Sequence, residues 1–252
     1  KKRQNYIDAS LKIWDWAEPI FQEYKSSECL AGLLRDEGFQ ITSGVAGMPT
    51  AFVAEWGEGQ PVIGFMGEYD ALPGISQEAD TTERKPIKPG GCGHGCGHHI
   101  LGTAAAAAAV ACKDYLESNH RRGTVRFYGC PAEEGGGGKV LMNNAGLFDD
   151  CAAAISWHPT DDNGIWSINF HAQQKVEYTG DEREGELPKR AKILYSYRAH
   201  TGAQIREAMS LLHCVAKGAA VASGCRLTAE YKTGYSELLP NRSLERIMYS
   251  KY

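Results

Sequence analysis

Apolar positions along the first half of the chain recur at two spacings, and the alternation between them outlines the fold. Tyr6, Ile7, Leu11, Ile13 and Trp14 predict a helix over residues 4–24, disturbed at Pro19. Ser26 and Ser27 offer caps for a second helix that ends near Gly38, a usual residue just past a helix C-terminus. Residues 39–45, 50–56 and 62–66 read as strands, the last continuous and apolar, as in a sheet covered on both faces. A helix follows over 100–119, carried by the alanine run at 104–109, whose small side chains suit close packing on a sheet. A strand at 124–129, a short helix at 138–144 and a buried strand at 152–157 complete the series. Strand and helix therefore alternate, which predicts an α/β three-layer sandwich around a largely parallel mixed sheet.

The texture changes beyond Ile165. Residues 166–179 alternate like an exposed strand, and 181–190 form a polar run. A strand at 191–199, a helix at 204–223 and a strand at 226–233 complete a β-β-α-β set. Pro240-Asn241-Arg242-Ser243 reads as a turn into a final helix carrying Leu244, Ile247 and Met248. The expected organisation is one domain over 1–167, a small α+β domain over 168–235, and a return to the first domain over 236–252.

Composition narrows the function. The chain has 252 residues, 42% hydrophobic and 23% charged, enough for a sizeable core. Lys and Arg number 27 against 31 Asp and Glu, a net charge of −4 that implies no basic face for nucleic acid. No apolar run reaches the roughly 18 residues of a membrane span, and Lys1-Lys2-Arg3-Gln4-Asn5 leads into an amphipathic stretch instead of a signal core. A soluble, cytoplasmic protein without a membrane partner is expected. A chain this large and apolar does not need its eight cysteines as staples. Cys29, Cys112, Cys130, Cys151, Cys214 and Cys225 lie singly in apolar surroundings and are expected to be reduced core residues.

Cys92 and Cys96 differ. Residues 68–99 carry no periodic signal, and such a long irregular segment in a compact domain tends to be functional. It contains Cys92-Gly-His94-Gly-Cys96-Gly-His98-His99, five candidate ligands within eight residues. Thiolate and imidazole suit zinc and its neighbours, either in a catalytic centre or in a structural knuckle built from Cys92, Cys96, His94 and His98. Glu133 and Glu134 follow the 124–129 strand; adjacent carboxylates repel unless a cation is near or one is protonated. One would then bind a metal while the other acts as general base. The glycines at 135–138 with Lys139 resemble a phosphate loop superficially, but Glu133 stands where its first Gly belongs and Val140 where Ser or Thr is required. His158 ends the 152–157 strand, and Glu68 and Asp70 follow the 62–66 strand. Cys96/His98, Glu133/Glu134 and His158 each fall after or beside a strand's carboxyl end, where ligands gather in open α/β sheets.

Glu68-Tyr-Asp-Ala-Leu-Pro, His94-Gly-Cys-Gly-His, Cys130-Pro-Ala-Glu-Glu-Gly-Gly-Gly-Gly and Ser156-Trp-His-Pro occur in order. Together they resemble the metal-dependent aminoacylase/carboxypeptidase superfamily, in its amidohydrolase branch. The resemblance implies a zinc-peptidase-like fold that holds two divalent ions, manganese, zinc or cobalt. It implies Cys96, His98, Glu134 and His158 as metal ligands, Glu133 as general base, and Asp70 as a carboxylate that orients a ligating imidazole. The implied reaction is hydrolysis of the amide of an N-acyl- or aroyl-amino acid, with an aroyl-glutamate-like or small dipeptide-like substrate. Glu68 stands where some branches have a metal-binding His, and His99 where Asp or Asn is common. Relatives insert a lid domain of two β-α-β halves that forms a dimer, so a homodimer or a paired related subunit is implied. Here the first lid strand (about 168–179) and the second half (191–234) have counterparts, and 181–190 stands in place of the rest. The lid, and a C-terminal segment bearing a last metal-binding His, are expected to be incomplete. His120, His171, His200 and His213 are expected to be surface or core residues.

Overall fold

The computed structural model of the chain describes residues 2–165, 170–181 and 190–251. It divides into two compact units, Lys1–Asp161 and Asp162–Tyr252. The first contains helices α1 (Lys2–Trp16), α2 (Tyr24–Asp36), α3 (His98–Ser118) and α4 (Gly138–Asn144), with strands β1 (Gln40–Ser43), β2 (Phe52–Glu58), β3 (Val62–Glu68), β4 (Gly123–Cys130) and β5 (Ala153–Ile155). These strands form one sheet in the order β1-β2-β4-β3-β5. β4, β3 and β5 run parallel, while β1 pairs antiparallel with β2 and β2 antiparallel with β4. The predicted mixed sheet with covering helices is present, its pairings shared equally between the two senses. The parallel half is the one that carries the chemistry.

β4 explains the layering. Its side chains alternate between faces. Val125 and Phe127 join Ile13, Leu30, Leu34, Ala105, Ala106 and Ala109 beneath α1–α3. Tyr128 and Cys130 enter a second cluster with Met48, Ala51 and Met142 of α4 on the opposite face. The alanine run does pack closely. At Gly102 of α3, a Cβ would stand 2.5 Å from the Glu68 carbonyl oxygen and 3.1 Å from a Leu30 methyl. Only a residue without a side chain lets α3 approach the end of β3 this nearly.

Several boundaries differ from the sequence pattern, each for a local reason. α1 stops at Trp16 because Ala17 and Phe21 take left-handed φ values of 40° and 59°, and Pro19 then bridges to Ala71. α2 begins before Ser26, since its first-turn N–H groups are satisfied from elsewhere. The Glu18 carboxylate accepts from Lys25 N at 3.1 Å and from Ser26 N at 2.9 Å. α3 begins at His98, two residues before the apolar repeat starts. β5 is only three residues long.

In the second unit, β6 (Ala172–Asp181), β7 (Arg190–Ala199) and β8 (Arg226–Tyr235) form an antiparallel sheet in the order β7-β6-β8, with α5 (Gly202–Ser223) and α6 (Arg242–Tyr249). β6, read from sequence as an exposed strand, is central: Ala172, Val176 and Tyr178 are buried against Ile205 and Met209 of α5. Residues 166–169 of that predicted strand, and 182–189 of the polar run, lie outside the described residues. Thr201 and Gln204 close a capping box on α5, and Asn241 caps α6. All eight cysteines are free, Cys130 buried and Cys214 exposed. Cys214 is therefore not the core residue its apolar neighbours suggested. Among the described residues no helix is long and apolar enough to cross a membrane.

Gly102→Ala is expected to lower unfolding stability by about 1–3 kcal/mol, the usual range for overpacking a close contact. Urea unfolding would show a lower midpoint at unchanged m-value; an unaltered midpoint would mean that α3 can retreat freely from β3.

Candidate metal centre

The parallel strands end side by side, with Glu68 of β3 in register with Cys130 of β4. Residues just past β3, β4 and β5 therefore share one sheet edge. Asp70 follows β3, Glu133 and Glu134 follow β4, and His158 follows β5. The segment between Glu68 and α3 is held down along its length. Tyr69 is wholly buried and its hydroxyl donates to the Thr50 carbonyl at 2.6 Å. Leu72 and Gly93 exchange backbone hydrogen bonds at 3.0 and 2.9 Å. Gly97 turns the chain into α3 with φ 79°, and a Cβ there would lie 2.7 Å from Pro159. This tight turn delivers Cys96 and His98 to the strand ends.

His98 is completely buried. Its Nδ1 lies 2.9 Å from Asp70 Oδ1, and the other Asp70 oxygen accepts the Glu134 N–H at 2.8 Å. A carboxylate only accepts, so Nδ1 turns a hydrogen toward Asp70, which leaves Nε2 as the ring nitrogen that a metal would take once deprotonated. Around Nε2 stand Glu68 Oε2 at 3.1 Å, Glu133 Oε2 at 3.8 Å and Glu134 Oε1 at 3.9 Å. Despite these distances, Nε2 and Glu134 Oε1 are buried without a hydrogen-bond partner. Cys96 Sγ is 3.1 Å from His158 Nε2. Donor atoms of Cys96, His98 and His158 lie within 4.8 Å of one another, as do those of Glu68, His98 and Glu133.

The electrostatics favour a cation at this site over ionised groups left alone. Burial, then the charge of Glu134, with Glu133 and Glu68 adding to it, push the Cys96 thiol up to about 12. A thiolate forms there only if positive charge is supplied. Burial, then Glu68, raise the Glu133 carboxyl. The Glu133 side chain is nevertheless 42% exposed where Asp70 and His98 are 0%, so solvent can reach it. Burial opposes charge on His98, but Asp70, Glu68 and Glu134 outweigh it and its pKa is raised. Burial likewise opposes the Lys139 ammonium, and Glu68 again prevails. Partnerless buried donor atoms, a thiol that needs a cation and a mixed sulfur, nitrogen and oxygen set fit divalent transition metals.

All six residues singled out from sequence meet here: Asp70, Cys96, His98, Glu133, Glu134 and His158. Cys92 and His94 enter neither group of three donors, which disfavours a zinc knuckle. His94 turns the other way, its Nε2 3.0 Å from the Ile13 carbonyl and its ring 5.2 Å from that of His99. Two contributors lie outside the set of residues expected at the site. Glu23, fully buried, accepts from Phe21 N and Ala132 N, each at 2.9 Å, and from the Thr50 hydroxyl at 2.8 Å. It thereby holds Ala132 at φ 57°, immediately before Glu133. Nothing local marks a Glu near a helix start for this task. The other is Lys139, paired with Glu68; its place after four glycines was the available signal.

A covered sheet whose parallel strands end in thiol, imidazole and carboxylate donors defines a metal-binding α/β protein. Residues 64–239 match peptidase family M20/M25/M40, and the chain belongs to that family. It is 37% identical over 296 residues to a p-aminobenzoyl-glutamate hydrolase subunit of Escherichia coli, covering 98% of this chain and 62% of that protein. It is 26% identical to human Xaa-Arg dipeptidase, covering 93% of this chain and 65% of the relative. The chain thus spans less than two thirds of these relatives' length. Among solved structures, it superposes on an aminobenzoyl-glutamate utilization protein from Klebsiella pneumoniae with TM-score 0.75 and 14% identity, over 99% of this chain and 81% of the other. A Bacillus subtilis protein described as a dinuclear metal-binding M20 peptidase gives TM-score 0.66 at 18% identity, over 98% and 79%. At these identities the structural likeness concerns the fold.

Burial, reinforced by His99, lowers the His94 imidazole from 6.5 to about 4. A depressed His contributes stability fully above its unfolded pKa and loses it as pH falls through the folded value. Unfolding free energy is expected to drop between pH 6.5 and 4, up to about 3 kcal/mol of it from this residue. His94→Gln keeps a donor for Ile13 but cannot titrate, so its stability profile should be flatter over that window; parallel profiles would refute the assignment.

Proposed function

We propose that this chain carries the metal-binding machinery of an amidohydrolase that cleaves the linear amide of an N-acyl- or aroyl-amino acid, a p-aminobenzoyl-glutamate-like or small dipeptide-like substrate. The observation that carries this reading is the pair of partnerless buried atoms, His98 Nε2 and Glu134 Oε1, 3.9 Å apart beside the Cys96–His158 contact and the accessible Glu133. The names of the Escherichia coli and human relatives, a hydrolase of an aroyl-glutamate and a dipeptidase, support it.

In this reading Cys96, His98, Glu134 and His158 hold two divalent ions, manganese, zinc or cobalt, among which so mixed a donor set does not choose. Such ions supply Lewis acidity, acidifying water and polarising an amide carbonyl. Asp70 fixes the His98 tautomer and tethers the Glu134 backbone, keeping two ligands in register. Glu133 is the general acid–base: its raised pKa lets it take a proton from the attacking water and return it to the departing nitrogen. Its greater exposure leaves it free to move between the two positions. Residues 1–167 form the catalytic domain, and residues 168–235 supply the association surface of a homodimer or of a paired related subunit.

Hydrolysis of p-aminobenzoyl-glutamate with manganese, measured on this chain and on a longer polypeptide matching the relatives' length, tests the reading. Metal bound with no hydrolysis by either would refute it. Glu133→Ala is expected to reduce turnover by at least 10²-fold at near-normal metal content; loss of metal would instead make Glu133 a ligand. Cys96→Ser is expected to weaken metal binding, and a fully loaded, active variant would contradict the ligand role.

A further inference from the structure

Glu23 stands at the N-cap of α2 but makes no capping bond there, since Glu18 already serves Lys25 N and Ser26 N. Its buried carboxylate is turned to other partners. One oxygen, Oε1, accepts from both Phe21 N and Ala132 N. Both of these residues have left-handed φ values, 59° and 57°. A residue other than glycine keeps that conformation only where its surroundings hold it, and here a single oxygen holds both. The other oxygen, Oε2, takes the Thr50 hydroxyl.

Each of these bonds leads to a segment of the metal centre. Ala132 opens the turn after β4, and its carbonyl accepts from Gly136 N and Gly137 N, each at 2.9 Å. With its N–H on Glu23, both backbone polar groups of Ala132 are fixed, and Glu133 and Glu134 lie inside the turn so closed. The glycine run serves this closure: at Gly136 a Cβ would lie 2.5 Å from both the Ala132 methyl and the Phe21 ring. On the other side, the Thr50 carbonyl accepts the Tyr69 hydroxyl. Tyr69 is wholly buried and stands between Glu68 and Asp70 in the segment that follows β3. Glu23 thus reaches one segment through Ala132 and the other through Thr50 and Tyr69, while its own hydrogen bonds go to none of the donors.

We propose that Glu23 is a positioning residue of the metal centre: as a buried acceptor of fixed length, it locks the turn carrying Glu133 and Glu134 to the segment carrying Glu68 and Asp70. Its reach and its acceptor oxygens perform this task, not its charge. Burial raises the Glu23 carboxyl, so ionisation is disfavoured at this seat. A neutral amide of the same length would accept the same two N–H groups.

The proposal rests on the metal-centre reading, and cobalt(II) titration of the 252-residue chain separates the two. The parent chain should bind cobalt with a thiolate-to-cobalt charge-transfer band that Cys96→Ser removes. No binding, or a band indifferent to that substitution, would overturn the metal-centre reading and the proposal with it. Given binding, Glu23→Gln should keep the parent's affinity and spectrum. Its amide oxygen accepts the two N–H groups, and its NH2 donates to the Thr50 hydroxyl oxygen. Glu23→Asp keeps the charge but is one methylene short of its partners. It should bind cobalt about tenfold or more weakly, with a changed ligand-field spectrum, in a chain that circular dichroism shows to be folded. A parent-like Glu23→Asp, or a Glu23→Gln impaired as much as Glu23→Asp, would overturn this proposal alone. Should Glu23→Asp fail to fold, Thr50→Val decides, since it removes the hydroxyl and keeps the shape. Weaker binding with a changed spectrum is expected there, and parent-like binding would overturn the proposal.

Discussion

The buried carboxylate of Asp70 joins three parts of the chain that the backbone keeps far apart. One oxygen receives the His98 ring at the start of α3, and the other receives the Glu134 backbone N–H beyond β4. Both oxygens are used, and the side chain is sealed from water. A charge-assisted hydrogen bond in such surroundings is strong, and the carboxylate left without its partners would be costly. This constraint aims His98 Nε2 inward and sets its distance from Glu134. Had Asp70 no seat at the end of β3, the same donors would point in unrelated directions.

The remainder of the site consists of groups that resist their own burial. Carboxylates crowd around an imidazole and a thiol, and burial, with the neighbouring negative charges adding to it, raises the pKa values of Glu133 and Cys96. A fold tolerates this only where positive charge offsets it and a stiff base resists rearrangement. The base is the sheet, packed on both faces through alternating residues of β4. Strain is met in the same way: Ala132 keeps a left-handed φ because Glu23, itself buried and with its pKa raised, holds the Ala132 N–H. Function is concentrated where the backbone is least free to relax. Family membership accords with this architecture, and the relatives' greater length leaves room for structure beyond the stretch shared with this chain.

Much of this was legible in the residues themselves. Apolar runs located the strands because a sheet covered on both faces demands them, and the donor residues sit directly after those runs. Misreadings arose where a distant group took over a local task. The Glu18 carboxylate caps α2 in place of Ser26 or Ser27. α3 starts at His98 because the Gly97 turn and Asp70, not apolar periodicity, fix its first residue. β6 looked solvent-facing because its polar alternates mark one face, yet it is flanked on both edges. Cys214 looked buried because its sequence neighbours are apolar, while a long helix presents such residues to water as readily as to a core.

By itself the sequence determined which donors exist and their order relative to the strand ends. These follow from residue chemistry and from hydrophobic periods of two and 3.6, both local properties. Only the tertiary structure decided which donors meet. Cys96 reaches His158 across 62 positions and Lys139 reaches Glu68 across 71, whereas Cys92 and His94, nearer in sequence to Cys96, stay out. The direction of an imidazole nitrogen or a carboxylate oxygen is set by long-range hydrogen bonds and by how closely helices may approach a sheet. No local pattern along the chain encodes that.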